Sequence, residues 1–227
     1  MVTSTSMSEN IFKPHLEILP TPQRNLWVEL KGIPPEFTLY GGTAIALHLG
    51  HRESIDFDFF GKNRFNPIEL AMKLSFISNV QITQSEPSTL SMTVDRGGPI
   101  KLSFFGLPRI FPLAEPHVSQ DNNLKVASLL DLAGMKVSVI QTRAELKDYL
   151  DIDSILISGQ IGLSTALSAG MAIYGSAFNP ESALKALCYF EDGNVNNLSP
   201  EIRRRLIDAV KKVNLDKLPL IEGPSHD

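Results

Sequence analysis

The sequence has a single cysteine, Cys188, among its 227 residues. One thiol makes no internal disulfide, so packing and hydrogen bonding have to hold the fold, as suits a reducing compartment. A long apolar run is also missing. Even Leu156 to Ala177 is interrupted by Gly, Ser, Thr and Gln, and a membrane-spanning helix needs roughly 18 or more consecutive apolar residues. Residues 1–10 are polar and lack the basic, apolar and cleavable parts of a signal peptide. A disordered N-terminus over 1–10 and a cytoplasmic location are therefore expected. Nor is there an excess of positive charge: 21 Lys and Arg face 25 Asp and Glu, a formal charge of −4. That balance argues against broad electrostatic binding to nucleic acid and leaves only a local basic groove open. What is present is ordinary globular composition, 43% hydrophobic with 15 Gly and 15 Pro. It suffices for one large domain or two modest ones.

The apolar pattern changes near residue 125, from short periods to helical ones. Thr21-Pro22 reads as an N-cap and first-turn proline, opening a helix through Trp27 and Leu30 that Gly32 and Pro34-Pro35 end. Phe37 to Tyr40 reads as a strand and Thr43 to Leu49 as a short helix. Ile55, Phe57 and Phe59 alternate with Asp56 and Asp58, a strand with one apolar and one acidic face. Asn66-Pro67 starts a helix through about Leu74. Leu90, Met92 and Val94, then Ile100, Leu102 and Phe104, flank the turn Arg96-Gly97-Gly98-Pro99 as a hairpin, with Val80 and Ile82 in a neighbouring strand. The second half reads as about five helices. Ser128-x-x-Asp131 and Thr142-x-x-Glu145 resemble capping boxes, and Asn179-Pro180 and Ser199-Pro200 place a capping residue before a first-turn proline.

The sharpest chemical signal is Gly41-Gly42-Thr43 followed by Asp56-Phe57-Asp58. Carboxylates at i and i+2 of a strand project to one side, roughly 7 Å apart at their Cα atoms, and can share divalent metal ions. Paired glycines between a strand and a helix let the backbone approach a ligand, and the helix N-terminus beyond them offers N–H groups to phosphate. A bare D-x-D is common, and two glycines alone are mostly a turn. Together, with a short helix between them, they point to a nucleoside triphosphate bound with Mg²⁺ or Mn²⁺.

Gly41-Gly42-Thr43-Ala44-Ile45-Ala46-Leu47 and His51-Arg52-Glu53-Ser54-Ile55-Asp56-Phe57-Asp58-Phe59-Phe60 resemble the signature of the AbiEii/AbiGii toxin family of nucleotidyltransferases, within the DNA polymerase β-like superfamily. The resemblance continues through Ile100 to Phe105, Asp131 to Lys136, and Arg143 to Asp151. It implies an α+β fold: a polymerase β-like nucleotidyltransferase domain with a small mixed sheet over residues 11–125, then an all-helical half over 126–227. It also implies transfer of a nucleotidyl group from an NTP, with Gly41, Gly42 and Thr43 on the triphosphate and Asp56 and Asp58 on metal. Lys136 falls on a nucleotide-contacting lysine, and Asp148 or Asp151 on a later acid. The acceptor it implies is an RNA, tRNA among them, or a protein, and the biological role a toxin with a cognate antitoxin. The sequence departs from the superfamily at one point. A third carboxylate usually stands on the neighbouring strand, where the outward positions here are Lys101, Ser103 and Phe105.

Arg52 and Ser54 precede the acids, where a guanidinium neutralises transferring phosphate or simply lies on the surface. Arg143, Lys147 and Asp151 fall at i, i+4 and i+8, a ligand-facing or a solvated helix face. Lys136, between Met135 and Val137, reads equally as a lysine with a buried stem. Arg203-Arg204-Arg205 and Lys211-Lys212 read as the wet side of a terminal helix, and His48 and His51 as ordinary positions. Two functional classes remain. One is an Mg²⁺-dependent nucleotidyltransferase using Asp56, Asp58, Lys136 and Asp148, with Arg52, Ser54 and Arg143 at the nucleotide. The other is a catalytically degenerate nucleotide- or protein-binding module. A further carboxylate beside the Asp pair, from Asp95, Asp131 or Asp148, would favour the first.

Overall fold

A computed structural model describes residues 10–108 and 111–223. Apart from Asn10, the disordered N-terminus expected over 1–10 lies outside the described residues. The chain forms two compact units, Met1–Pro108 with Glu115–Ser128, and Arg109–Ala114 with Leu129–Asp227.

The first unit is built on a mixed sheet of eight strands: β1 (Ile11–Phe12), β2 (Phe37–Tyr40), β3 (Phe57–Gly61), β4 (Val80–Glu86), β5 (Thr89–Asp95), β6 (Pro99–Gly106), β7 (His117–Ser119) and β8 (Lys125–Val126). Their order is β1-β7-β8-β2-β3-β6-β5-β4. At its centre β3 runs antiparallel to β2 and parallel to β6. Three helices accompany it: α1 (Thr21–Trp27), α2 (Gly41–Leu49) and α3 (Pro67–Lys73). Alternation puts Leu39, Phe57, Phe59, Leu102, Phe104, Leu90 and Met92 on one face of the sheet, all buried with Leu26 and Trp27 of α1 and Leu70 of α3. Phe59 stacks on Phe104 at 4.9 Å, and Phe37 meets Phe104 edge-on at 5.2 Å, geometries that aromatic quadrupoles favour.

The hairpin stands where the alternation predicts it, with Asp95 Oδ1 accepting from the N–H groups of Gly97 and Gly98 in the turn. Asn66 caps α3 by accepting from Ile68 and Glu69 N–H. Several predicted details shift. The first helix stops at Trp27, and a separate 3₁₀ turn, Leu30–Gly32, follows it. The acidic strand begins at Phe57, so Asp56 precedes it and Ile55 is exposed rather than core. Val80 and Ile82 lie on the sheet edge and are exposed too.

The second unit holds α4 (Leu129–Val139), α5 (Leu146–Ile157), α6 (Leu163–Tyr174), α7 (Pro180–Leu187) and α8 (Pro200–Lys211). Asn179 caps α7 through Ser182 N–H and Ser199 caps α8 through Ile202 N–H, as the Asn-Pro and Ser-Pro pairs predict. Thr142 does not cap α5, because its hydroxyl donates back to the Val139 carbonyl. Asn194 Oδ1, far along the chain, instead accepts from Leu146 N–H at 2.6 Å. Among the described residues no helix is long and apolar enough to cross a membrane.

Helices α4 and α6 approach closely at Gly134, where an added Cβ would lie 2.8 Å from the Ala169 backbone carbon and 2.8 Å from its Cβ. Gly134→Ala gains about 1 kcal/mol of helix propensity and meets an overpacking cost of up to about 3 kcal/mol. The expected net loss, about 1–2 kcal/mol, is read from urea unfolding. A variant as stable as the parent would show that the two helices separate at no cost.

Candidate active site

The first group of candidate residues gathers where β2 passes into α2. Tyr40, the last residue of β2, is the N-cap of α2 and offers it no side-chain hydrogen bond. Gly41 follows with φ +74°, and a Cβ there would lie 3.0 Å from Asp58 Oδ2. Glycine is thus required twice, for the left-handed backbone and for the approach of the carboxylate. Tyr40 and Asp58 face each other in the β2–β3 ladder. The helix itself starts at Gly41 rather than at Thr43, so both glycines belong to its first turn. Ala44, Ile45, Ala46 and Leu47 are fully buried, which fixes the direction of that turn and of its N–H groups.

Thr43 is buried, and its hydroxyl donates to the Asp56 carbonyl. A hydroxyl has one proton, so Ser54 Oγ, 2.7 Å away, is the donor to Thr43 Oγ1. Gln23 on α1 donates through Nε2 to the Ile55 carbonyl at 3.2 Å. Three side chains therefore hold segment 54–56, and Asp56 with it, in front of β3. Thr43 and Ser54 spend their hydroxyl protons on this latch. Gln23 carried no sequence signal, because its contact spans 32 residues. Arg52 Nη1 donates to the Glu53 carbonyl.

Asp56 and Asp58 are both half-buried. Beside Asp58, in register on β6, stands Ser103, and beyond it Ser91 on β5. Ser103 is 1% exposed, and among the described residues its Oγ has no hydrogen-bond partner. Among the described residues no group of three or more His, Cys, Asp or Glu could hold a metal ion. The donors nonetheless suit Mg²⁺. Two hard carboxylates and a glycine that a Cβ would close against Asp58 fit an oxygen-ligated cation that keeps further positions for phosphate and water.

The second group lies in the second unit and is an ion network. Lys136 on α4, 7% exposed, puts its Nζ 2.8 Å from Asp148 Oδ1 and 2.9 Å from Asp151 Oδ2, both on α5 and both fully buried. Arg143 adds Nε to Asp148 Oδ2 at 2.8 Å and Nη2 to Oδ1 at 3.1 Å. Burial alone would push the Asp148 carboxyl up, but the Arg143 hydrogen bonds and the Lys136 charge outweigh it and hold the group below its ordinary value. The single helix face predicted for Arg143, Lys147 and Asp151 is not formed. Arg143 precedes α5, Lys147 is exposed and pairs with Glu145 at 3.0 Å, and Asp151 turns inward.

The other candidate acids have these partners. Asp131 accepts from Leu113 and Ala114 N–H at 2.7 and 3.3 Å. Asp95 pairs with Pro99 at the hairpin end, four residues along β6 from Ser103, roughly 13 Å at about 3.3 Å per residue. His48 stacks on Phe12 and donates through Nε2 to the Ala127 carbonyl, and burial pushes its pKa down to about 4, so it is neutral. Arg205 grips Asp153 at 2.9 and 2.6 Å, and Arg203 donates to the carbonyls of Leu198 and Asn196. Two of the three terminal arginines therefore serve the helical fold.

Residues 28–187, more than half of the chain, match the family model described as "Nucleotidyl transferase AbiEii toxin, Type IV TA system". An uncharacterized protein of Aquifex aeolicus (strain VF5) is 35% identical over 124 residues, a match covering 53% of this chain and 58% of that protein. The solved structure of a candidate nucleotidyltransferase from H. pylori superposes with a TM-score of 0.54 at 16% identity, over 87% of this chain and 92% of the other. MenT4, a nucleotidyltransferase toxin from Mycobacterium tuberculosis H37Rv, superposes with a TM-score of 0.52 at 12% identity, over 80% and 77%. At such identities the likeness is one of fold, and that fold is the α+β one expected from the sequence.

Proposed function

Because the chain belongs to the nucleotidyl transferase AbiEii toxin family, we propose that it transfers a nucleotidyl group from an NTP to an RNA and acts as a toxin opposed by a cognate antitoxin. The observation that carries the reading is the closeness of Asp58 to Gly41, whose φ is +74° in the first turn of α2: a Cβ added there would lie 3.0 Å from Asp58 Oδ2. A helix N-terminus suited to phosphate and an acid able to hold a cation lie side by side there.

Asp56 and Asp58 would hold Mg²⁺, which when bound supplies charge neutralisation for the triphosphate and the departing pyrophosphate. The remaining work belongs to the chain. The first-turn N–H groups of Gly41, Gly42 and Thr43 orient the phosphates, while Thr43, Ser54 and Gln23 keep Asp56 in place. An acceptor hydroxyl oxygen bonds to the α-phosphorus, the bond from that phosphorus to the bridging oxygen breaks, pyrophosphate leaves, and the acceptor proton passes to water.

The test incubates the purified protein with each α-labelled NTP, Mg²⁺, and total RNA or total protein. Labelled RNA that disappears on chelation is the expected result. Label on protein instead would correct the acceptor class. NTP binding without any labelled acceptor would favour the non-catalytic module, which one observation supports, namely Ser103 at the position where a third acid would stand.

A further inference from the structure

Ser103 Oγ is a buried hydroxyl with no partner among the described residues, and buried hydroxyls are nearly always hydrogen-bonded in folded proteins. Its place in the sheet says what it awaits. Adjacent in-register residues of neighbouring strands project to the same face, so Ser103 stands beside Asp58, on the side away from β2 and α2. Asp58 is thus flanked by the α2 N-terminus on one side and by this hydroxyl, one strand spacing of about 4.8 Å away, on the other. A triphosphate whose tail lies on the first turn of α2 brings its α-phosphoryl group over Asp58 and toward β6. Lys101, two residues before Ser103 on the same face and exposed, makes that strip favourable to an anion.

We infer that Ser103 binds the reacting phosphoryl group, its Oγ donating to a non-bridging oxygen of the NTP α-phosphate. This residue then supplies a neutral donor where a third carboxylate would supply a metal ligand. The inference rests on the nucleotidyltransferase reading above and adds a substrate contact to it.

The experiment is titration calorimetry without acceptor, using an α,β-methylene NTP and the two α-thio diastereomers in Mg²⁺, on the parent protein, Ser103→Ala and Asp58→Asn. Ser103→Ala is expected to melt no lower than the parent, since it removes an orphaned hydroxyl, and to bind the methylene analogue about tenfold more weakly. One α-thio diastereomer should bind the parent more weakly than the other and show no further loss in Ser103→Ala, an effect that a merely structural serine would not produce. Parent-like affinity in Ser103→Ala, alongside lost affinity in Asp58→Asn, would overturn the role of Ser103 and leave the nucleotidyltransferase reading intact. A parent protein that binds none of the nucleotides would overturn the reading itself.

Discussion

Replacing Lys136 with Met is expected to destabilise the second unit by about 3–5 kcal/mol, the usual cost of removing one partner from a buried ion network. The substitution leaves Asp148 and Asp151, both fully buried, without the ammonium that lies within 2.9 Å of each. Arg143 still holds Asp148, but its side chain is 45% exposed and so compensates only part of the loss. At this size a change of that magnitude shifts the melting temperature by on the order of 10 °C. Adding Asp151→Asn to Lys136→Met should recover stability rather than lose more, because it neutralises the carboxylate that the first change stranded. Melting the single and double variants checks both statements. A Lys136→Met protein as stable as its parent would show that the network contributes nothing to folding.

The same network makes stability depend on acid. The carboxyl of Asp148 is held below its ordinary value in the folded chain, so folding favours its charged form. That contribution is fully present above about pH 4, the unfolded value for Asp, and is lost as the pH falls through the lower folded value. For activity the consequence is practical. Loss of transfer in Lys136→Ala or Asp148→Asn reports on folding as well as on chemistry, so melting curves must accompany any rate.

How legible this was depends on the range of each interaction. The hairpin at Arg96 to Pro99 and the caps at Asn66, Asn179 and Ser199 were visible because each is closed by residues two or three apart. The Gly41 and Asp58 pairing was visible only as a pattern of residue types, since its geometry needs the β2–β3 ladder. Thr142 misled for a physical reason: the same hydroxyl that caps a helix also bonds back to a preceding carbonyl, and the helix start was served by Asn194 instead. The face drawn through Arg143, Lys147 and Asp151 assumed a helix that begins before residue 143, whereas α5 begins at Leu146. Strands β1, β7 and β8 have two or three residues each, too few for any periodicity. Gln23 acts through a contact that no spacing rule encodes.

Asp58→Asn is the substitution with the largest expected effect on transfer, a loss of about 10³-fold. The amide keeps the shape of the side chain and its place beside Gly41, and removes the negative charge that a divalent cation requires. Cation-based stabilisation of the reacting phosphates is worth several kcal/mol, and about 4 kcal/mol corresponds to that factor in rate. Binding of a nonhydrolysable NTP in Mg²⁺ should weaken at least about tenfold, roughly 1.4 kcal/mol, while the melting temperature changes little because Asp58 is only half-buried. Gly41→Ala should lose binding by a different route. Its methyl would sit 3.0 Å from Asp58 Oδ2 and an L-residue in the left-handed region costs roughly 1–2 kcal/mol, so stability falls along with affinity. The two variants therefore separate charge from placement. Chelation of the metal should reduce the parent to the affinity of Asp58→Asn and leave that variant unchanged. If Asp58→Asn is folded and still binds the nucleotide with parent affinity and the same metal dependence, the cation is held elsewhere and Asp58 is a structural neighbour of Gly41.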